Sequence, residues 1–247
     1  MDFQYLTLMA IGFAAQLIDG ALGMAFGVIA TSSLIATGIP PTIASATIHT
    51  AEVATTAISG ASHIWNGNVD RRLLLKLVVA GVGGGVFGAY ILTGLPEDII
   101  KPIVTVYLGA MSVIILARVL GWKLDRWRPS IPIIGAGGGF LDAVGGGGWG
   151  PLVASTLMAT GDNPRRTIGS VNVAEFFVTL SISAAFLTRL DFASYGELAL
   201  GLIIGGAIAA PLAGYLLRIM PTRVVLTLAG LVVAGLSLMN LAGLLMQ

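Results

Sequence analysis

Four carboxylates stand in stretches where water should be scarce: Asp19, Glu52, Asp142 and Glu175. The remaining acidic residues fall near segment ends or in loops. Glu52 is ten residues past Thr42 and Glu175 ten past Arg165, a distance of about 15 Å along a helix. Both are expected near the middle of an apolar layer roughly 30 Å thick. An ionised carboxylate there costs about 2.5–3.5 kcal/mol on insertion scales, so it takes up a proton, finds a partner or faces a water-filled cavity. Such a group can bind and release a proton near neutral pH, which is what proton-coupled movement of a solute requires. The structural alternative is a neutral, hydrogen-bonded acid that ties two helices together.

The segment around Glu52 carries further polar residues. Ser45, His49, Glu52, Thr56, Ser59 and His63 are spaced alternately four and three apart, which puts all six on one helical face. A water-lined path explains that stripe better than contact with lipid. The segment around Glu175 keeps part of it, as Asn172, Glu175, Thr179 and Ser183. His49, three residues before Glu52, reads equally as a proton shuttle or anion ligand and as a neutral histidine bonded to Glu52.

Lys and Arg are absent from the middle of every apolar stretch. A bound anion would therefore rest on backbone N–H groups and half-helix N-termini, helped by Asn, Ser and Thr side chains. Two broken segments offer such ends, one from Gly23 to Gly27 and one from Gly146 to Pro151. The run Gly145, Gly146, Gly147, Gly148 is not a nucleotide loop, because no Lys-Ser/Thr follows it and no strand precedes it. Trp149 interrupts the glycines, where it either walls a substrate cavity or fills the space they leave. Gly-x-Ser-x-Gly and His-Glu-x-x-His motifs are missing, and two histidines without a thiol make a poor metal site. No enzyme, resident metal or cofactor is expected.

These residues need elements to hold them. Of 247 residues, 56% are hydrophobic and 10% charged, against roughly 25% charged in soluble domains. The mean hydropathy is +0.93. So few charges cannot solvate a soluble surface, so the chain belongs in a bilayer, and a net charge of +1 suggests no nucleic-acid partner. With no cysteine there is no disulfide framework. The start Met1-Asp2-Phe3-Gln4-Tyr5 lacks a basic region, so the first apolar segment is expected to stay in the mature protein. Apolar stretches of spanning length lie at about 4–36, 42–65, 73–94, 99–120, 131–159, 167–188, 196–217 and 222–245. Stripes of small residues, Ala80, Gly84 and Gly88 in one stretch and Gly201, Gly205, Ala209 and Ala213 in another, suit close helix packing. Trp65, Trp122 and Trp127 sit where an aromatic belt would.

The chain also repeats. A shift of 123 residues without a gap pairs Gly12 with Gly135, Asp19 with Asp142, Gly23 with Gly146, Pro41 with Pro164 and Glu52 with Glu175. Two carboxylates in one register, among glycines and a proline, point to duplication. If the first stretch of each half enters and returns on the same side, the 13 basic residues divide 11 to 2, with only Lys101 and Arg189 on the poorer side. Single crossings throughout would divide them 8 to 5. The positive-inside rule prefers the first arrangement.

The expected fold is an all-α polytopic membrane protein with a first repeat at 1–121, a basic cytoplasmic linker at 122–129 and a second repeat at 130–247. Each repeat would be a broken, re-entrant-like helical hairpin, with arms of about a dozen residues, plus three transmembrane helices. The halves would be inverted, with both termini outside. Interrupted segments at matching places in two inverted halves are a pointer to a transporter's binding site.

The segment Gly139-Phe-Leu-Asp-Ala-Val-Gly-Gly-Gly-Gly-Trp-Gly-Pro151, followed by Ile168-Gly-Ser-Val-Asn-x-Ala-Glu-Phe-Phe-Val-Thr179, resembles the TauE/SafE family of sulfite and organosulfonate exporters. Asp19-Gly-Ala-Leu-Gly23 and Ala51-Glu52 match the family's duplicated pattern in the first half. The resemblance implies a secondary carrier in a bacterial inner membrane that exports small sulfur-containing anions such as sulfite or sulfoacetate. It marks Gly23, His49, Gly145, Gly146, Gly147, Gly148 and Asn172 for the substrate, and Trp149 stands beside them. Asp19, Glu52, Asp142 and Glu175 would couple protons. The expected partners are the anion, protons and lipid, with a homodimer left open. The rival expectation is a cation carrier or channel using the same carboxylates.

Overall fold

The computed structural model describes residues 3–22, 25–121, 129–160, 164–219 and 221–246. Gly23 and the linker residues 122–128, with Trp122 and Trp127, lie outside them. The described residues form helices and connecting turns. The first half contains α1 (Phe3–Leu22), α2 (Phe26–Ala36), α3 (Pro41–Trp65), α4 (Arg71–Gly94) and α5 (Glu97–Val119). The second contains α6 (Ile131–Gly145), a π-helical turn (Trp149–Ala154) leading into α7 (Ser155–Thr160), then α8 (Pro164–Leu187), α9 (Gly196–Ile219) and α10 (Thr222–Leu245).

Local chemistry sets many of the helix ends. Pro41 opens α3 at a position where a missing N–H costs nothing. Asp70 caps α4 by accepting from the N–H groups of Leu73 and Arg72, and those bonds hold its carboxyl below the usual range. Glu97 and Asp98 in the first turn of α5 and Arg118 in its last turn complement the helix dipole. Gly146 ends α6 in the left-handed region at φ 64°, and the N–H of Gly147 then returns to the carbonyl of Asp142.

Four described segments, Arg71–Gly94, Glu97–Val119, Arg165–Leu187 and Arg223–Leu245, are long and apolar enough to cross a membrane. With 25 residues α3 also has the length, but its polar stripe lowers its hydropathy. Large apolar side chains such as Val79, Val106, Val113 and Leu238 lie exposed on the outside of the bundle, a surface that suits lipid and not water. Trp65, at the end of α3, is likewise exposed.

The small-residue stripes are packing surfaces. Gly84 lies against Ala136, Gly88 against Phe140, and Gly135 against Ala80. These pairs show α6 running alongside α4 in the same direction. Gly201 meets Leu8, Gly12 meets Leu202 and Gly206 meets Gln16, so α1 runs in the same direction as α9, with Gly205 packed on Met9 in the same seam. The pairs Gly81 with Val178 and Gly85 with Ile182 make α4 and α8 parallel as well. The backbone N–H of Asp70 donates to Ser170 Oγ at 2.8 Å, so α4 and α8 begin on the same side of the bundle, with the start of α4 level with the second turn of α8. Hairpin α6–α7 therefore enters from the face where α4 and α8 begin. Hairpin α1–α2 enters from the face where α9 begins, after the short connection that follows α8.

The hairpin arms are not four half-helices of about a dozen residues. The first arm, α1, has 20 residues and α6 has 15, whereas α2 has 11. Nothing in residues 3–18 interrupts the helix, and contact with Gly201 and Gly205 of α9 extends along that outer part of α1. The return arm of the second hairpin begins as a π-helical turn, with Pro151 inside it in place of a standard first helical position.

Candidate functional site

The two hairpin tips meet in the middle of the bundle. A Cβ on Gly147 would overlap the backbone of Gly27 and Val28, and one on Gly27 would overlap the backbone of Gly146 and Gly147. Thr31 Oγ1 of α2 donates to the Gly146 carbonyl at 2.6 Å, and the Tyr107 hydroxyl of α5 donates to the Gly147 carbonyl at 2.8 Å. Ser45 Oγ of α3 donates to the Ala143 carbonyl at 2.6 Å. The glycine run thus lets two backbones touch and leaves their carbonyls open to neighbouring hydroxyls.

Asp19 and Asp142 hold matching places. The N–H of Phe26 donates to Asp19 Oδ1 at 3.1 Å, and the N–H of Trp149, in the same repeat register, donates to Asp142 Oδ1 at 3.0 Å. Asp142 Oδ1 also accepts from Gly148 at 2.6 Å. Each carboxylate spans the break in its hairpin and caps the return arm, where helical N–H groups lack partners of their own.

His49 pairs with Asp142, not with Glu52. Its Nε2 is 3.3 Å from Asp142 Oδ2, with side-chain exposures of 0% and 4%. Its Nδ1 lies 2.8 Å from the Ser45 carbonyl. A carbonyl can only accept, so Nδ1 carries hydrogen. The contact between Nε2 and Asp142 then requires one more proton, held by either the imidazole or the carboxyl. The pair is a buried site for a single proton, built from one residue of each half.

All four carboxylates surround one small chamber, lined also by Gly27, Val28, Gly147, Gly148 and Gly150. Its volume of about 10 Å³ has room for a single water. Asp19, Glu52 and Glu175 also line a second cavity of about 450 Å³. This cavity extends past Thr56, Ser59 and Asn172 to His63, near the end of α3 and the start of α8. Its size falls within the usual range for small-molecule sites. Among the described residues, no Lys or Arg lines either cavity. Among the described residues, no group of three His or acidic side chains converges closely enough to hold a metal ion.

The stripe on α3 divides between two tasks. Ser45 and His49 face the second hairpin, while Glu52, Thr56, Ser59 and His63 face the cavities. Asn172 lines the larger cavity and accepts from Ser59 Oγ at 2.9 Å. Gly147 and Gly148 line the small chamber, whereas Gly145 and Gly146 pack against Tyr107 and Thr31. Trp149 lines neither cavity. It is fully buried, donates through Nε1 to the Val171 carbonyl at 3.2 Å and fills the space beside Gly81. Gln16, Thr31, Thr55 and Tyr107, which carry no motif in the sequence, also join the site. Gln16 precedes Asp19 by three residues on an apolar helix, a spacing that places the two on one face.

Membrane-length helices around two hairpins whose tips enclose buried acids define a multi-pass membrane protein with an internal polar site. The chain belongs to the family described as sulfite exporter TauE/SafE, which matches residues 8–240. It is 42% identical over 218 residues to a probable membrane transporter protein, YtnM, of Bacillus subtilis (strain 168), an alignment covering 84% of this chain and 73% of that protein. No solved structure matches the chain.

Proposed function

We propose that the protein is a secondary carrier that exports a small sulfur-containing anion such as sulfite or an organosulfonate, with proton exchange on its buried acids. The observation that carries this reading is the meeting of the two hairpin tips at one chamber lined by four carboxylates. Cargo occupies the larger cavity, because the chamber at the tips has room only for water. Gly27 and Val28, in the first turn of α2, line that chamber at the positive end of a helix dipole. An anion reaches them when the hairpins part. Protons on the acids remove the charge that would otherwise repel it.

Alternating access follows from treating the halves as inverted copies that rock about the shared site. Entry of the hairpins from opposite faces supports that treatment, as does the matched capping by Asp19 and Asp142. On this topology Arg71, Arg72, Lys76, Arg165 and Arg166 lie on the cytoplasmic side. Single cysteines on the cysteine-free chain test it. Arg71→Cys and Arg166→Cys are expected to react with an impermeant maleimide from the same face and Arg189→Cys from the other. Labelling of the first two from opposite faces would overturn the topology.

The function is tested in liposomes containing the purified protein and a pH-sensitive dye. Sulfite, sulfoacetate or thiosulfate gradients are expected to drive flux accompanied by proton movement. Flux of inorganic cations that ignores every anion would sink this reading and favour cation carriage through the same acids.

A further inference from the structure

The polar stripe on α8 does not stop at the acids. The larger cavity runs toward the face where α3 ends and α8 begins, and on α8 it is lined by Ile168, Asn172 and Glu175. Thr179 and Ser183 carry the same stripe the other way from Glu175, in steps of four. Ser183 lies about 12 Å beyond Glu175 along the helix. Near the cavity, Gly60 packs on Val173 and Ser59 donates to Asn172; farther along, the Phe186 ring is 6.1 Å from that of His49. The two helices are therefore antiparallel, and Thr179 and Ser183 lie in the seam between them.

Those two hydroxyls are unsatisfied. Thr179 is 0% exposed and Ser183 7%, and neither hydroxyl has a hydrogen-bond partner among the described residues. Elsewhere on the helix, Ser181 Oγ donates to the Phe177 carbonyl at 2.7 Å and Thr188 Oγ1, just past the end, to that of Ala185 at 2.7 Å. A buried hydroxyl without a partner costs stability, and Ala or Val would fill a permanent helix contact without that cost. Water entering the seam would satisfy both. Among the described residues, the linings of the chamber and the larger cavity reach neither of them.

The contacts that hold the seam shut run from α3 to the second hairpin. Ser45 Oγ donates to the Ala143 carbonyl, and His49 meets Asp142. On the other side of the seam, the glycines of α4 grip both α6 and α8, and the Tyr90 hydroxyl lies 3.2 Å from Thr188 Oγ1. Helices α4, α6 and α8 thus form one packed body facing α3. We propose that the seam between α3 and α8 is the far half of the transport path, closed in this structure, and that it opens when α4, α6 and α8 part from α3 and bring Thr179 and Ser183 into water. This deepens the proposed carrier function and rests on it for alternating access.

The test uses single cysteines on the cysteine-free chain and an impermeant cationic methanethiosulfonate. Ser183→Cys and the deeper Thr179→Cys are expected to react at least tenfold faster than Ala184→Cys from the face that labels Arg189→Cys. Ala184 neighbours Ser183 but is exposed on the outside of the bundle, so it reports on a thiol facing lipid. Ser59→Cys, on the larger cavity, is expected to react from the opposite face, together with Arg71→Cys. Fast labelling of either seam position from the Arg189 face alone supports the inference. Labelling of both at no more than the Ala184→Cys rate overturns it, and so does fast labelling of Ser183→Cys from both faces in the absence of any solute gradient, which describes a standing pore. Sulfite flux in liposomes is read on the same variants. Flux through a seam that never labels overturns this inference alone, whereas seam labelling without flux of any sulfur anion upholds the path and overturns the anion reading.

Discussion

Gly147→Val is expected to abolish transport and destabilise the folded bundle by about 3 kcal/mol or more. A side chain there has no room. Its Cβ would land on the Gly27 carbonyl carbon and the Val28 nitrogen, and those are backbone atoms of the opposite hairpin, which cannot swing aside as a side-chain tip can. The residue also has φ 154°, which a β-branched residue adopts only under strain. The control is Gly83→Ala. Gly83 is exposed on α4, and nothing lies within 4 Å of the position its Cβ would take. That exchange should leave transport intact and strengthen the helix by up to about 1 kcal/mol. Thermal unfolding in detergent and liposome flux measure both. A stable, active Gly147→Val protein would show that the hairpin tips need not touch.

Much of this arrangement could be read before any fold was known, because membrane chemistry makes certain residues conspicuous. A carboxylate in an apolar stretch stands out by its cost, and a repeat register pairs it with its counterpart; the four acids do share one chamber. Small residues four apart found their contacts on α1 and α6 because interhelical distance depends on side-chain volume. The partners of the acids were harder to see. Asp19 and Asp142 bond to amides seven residues onward, across breaks whose path depends on how the hairpins pack. His49 finds Asp142 93 positions away, while local spacing suggested Glu52. Trp149 stood beside the glycine run like a cavity residue, yet its indole ring turns to Gly81 and Val171 on other helices. Tyr107 gave no signal, since a lone tyrosine in an apolar helix is also what a membrane interface would contain.

Asp142 joins structure to charge, and two substitutions should separate those roles. Asp142→Asn keeps an oxygen for the N–H groups of Gly148 and Trp149, so the cap on the return arm survives. Its new amide faces His49 Nε2, while Nδ1–H still donates to Ser45. A neutral imidazole satisfies that geometry fully, with no proton left to exchange between the two residues. The Asn protein should therefore fold with a thermal midpoint close to that of the parent. Exchange of anion across the liposome membrane should continue, while net proton movement falls at least tenfold. Asp142→Ala instead leaves two buried amides without an acceptor, each costing about 1–3 kcal/mol, and strands the imidazole beside them. That protein should lose stability, anion exchange and proton movement together. The contrast depends on the proton held between His49 and Asp142 being one that the transport cycle moves. Full proton flux in a well-folded Asp142→Asn protein would assign that work to Glu52 and Glu175, which line both cavities, and would leave the His49 pair as a fastening between the two halves.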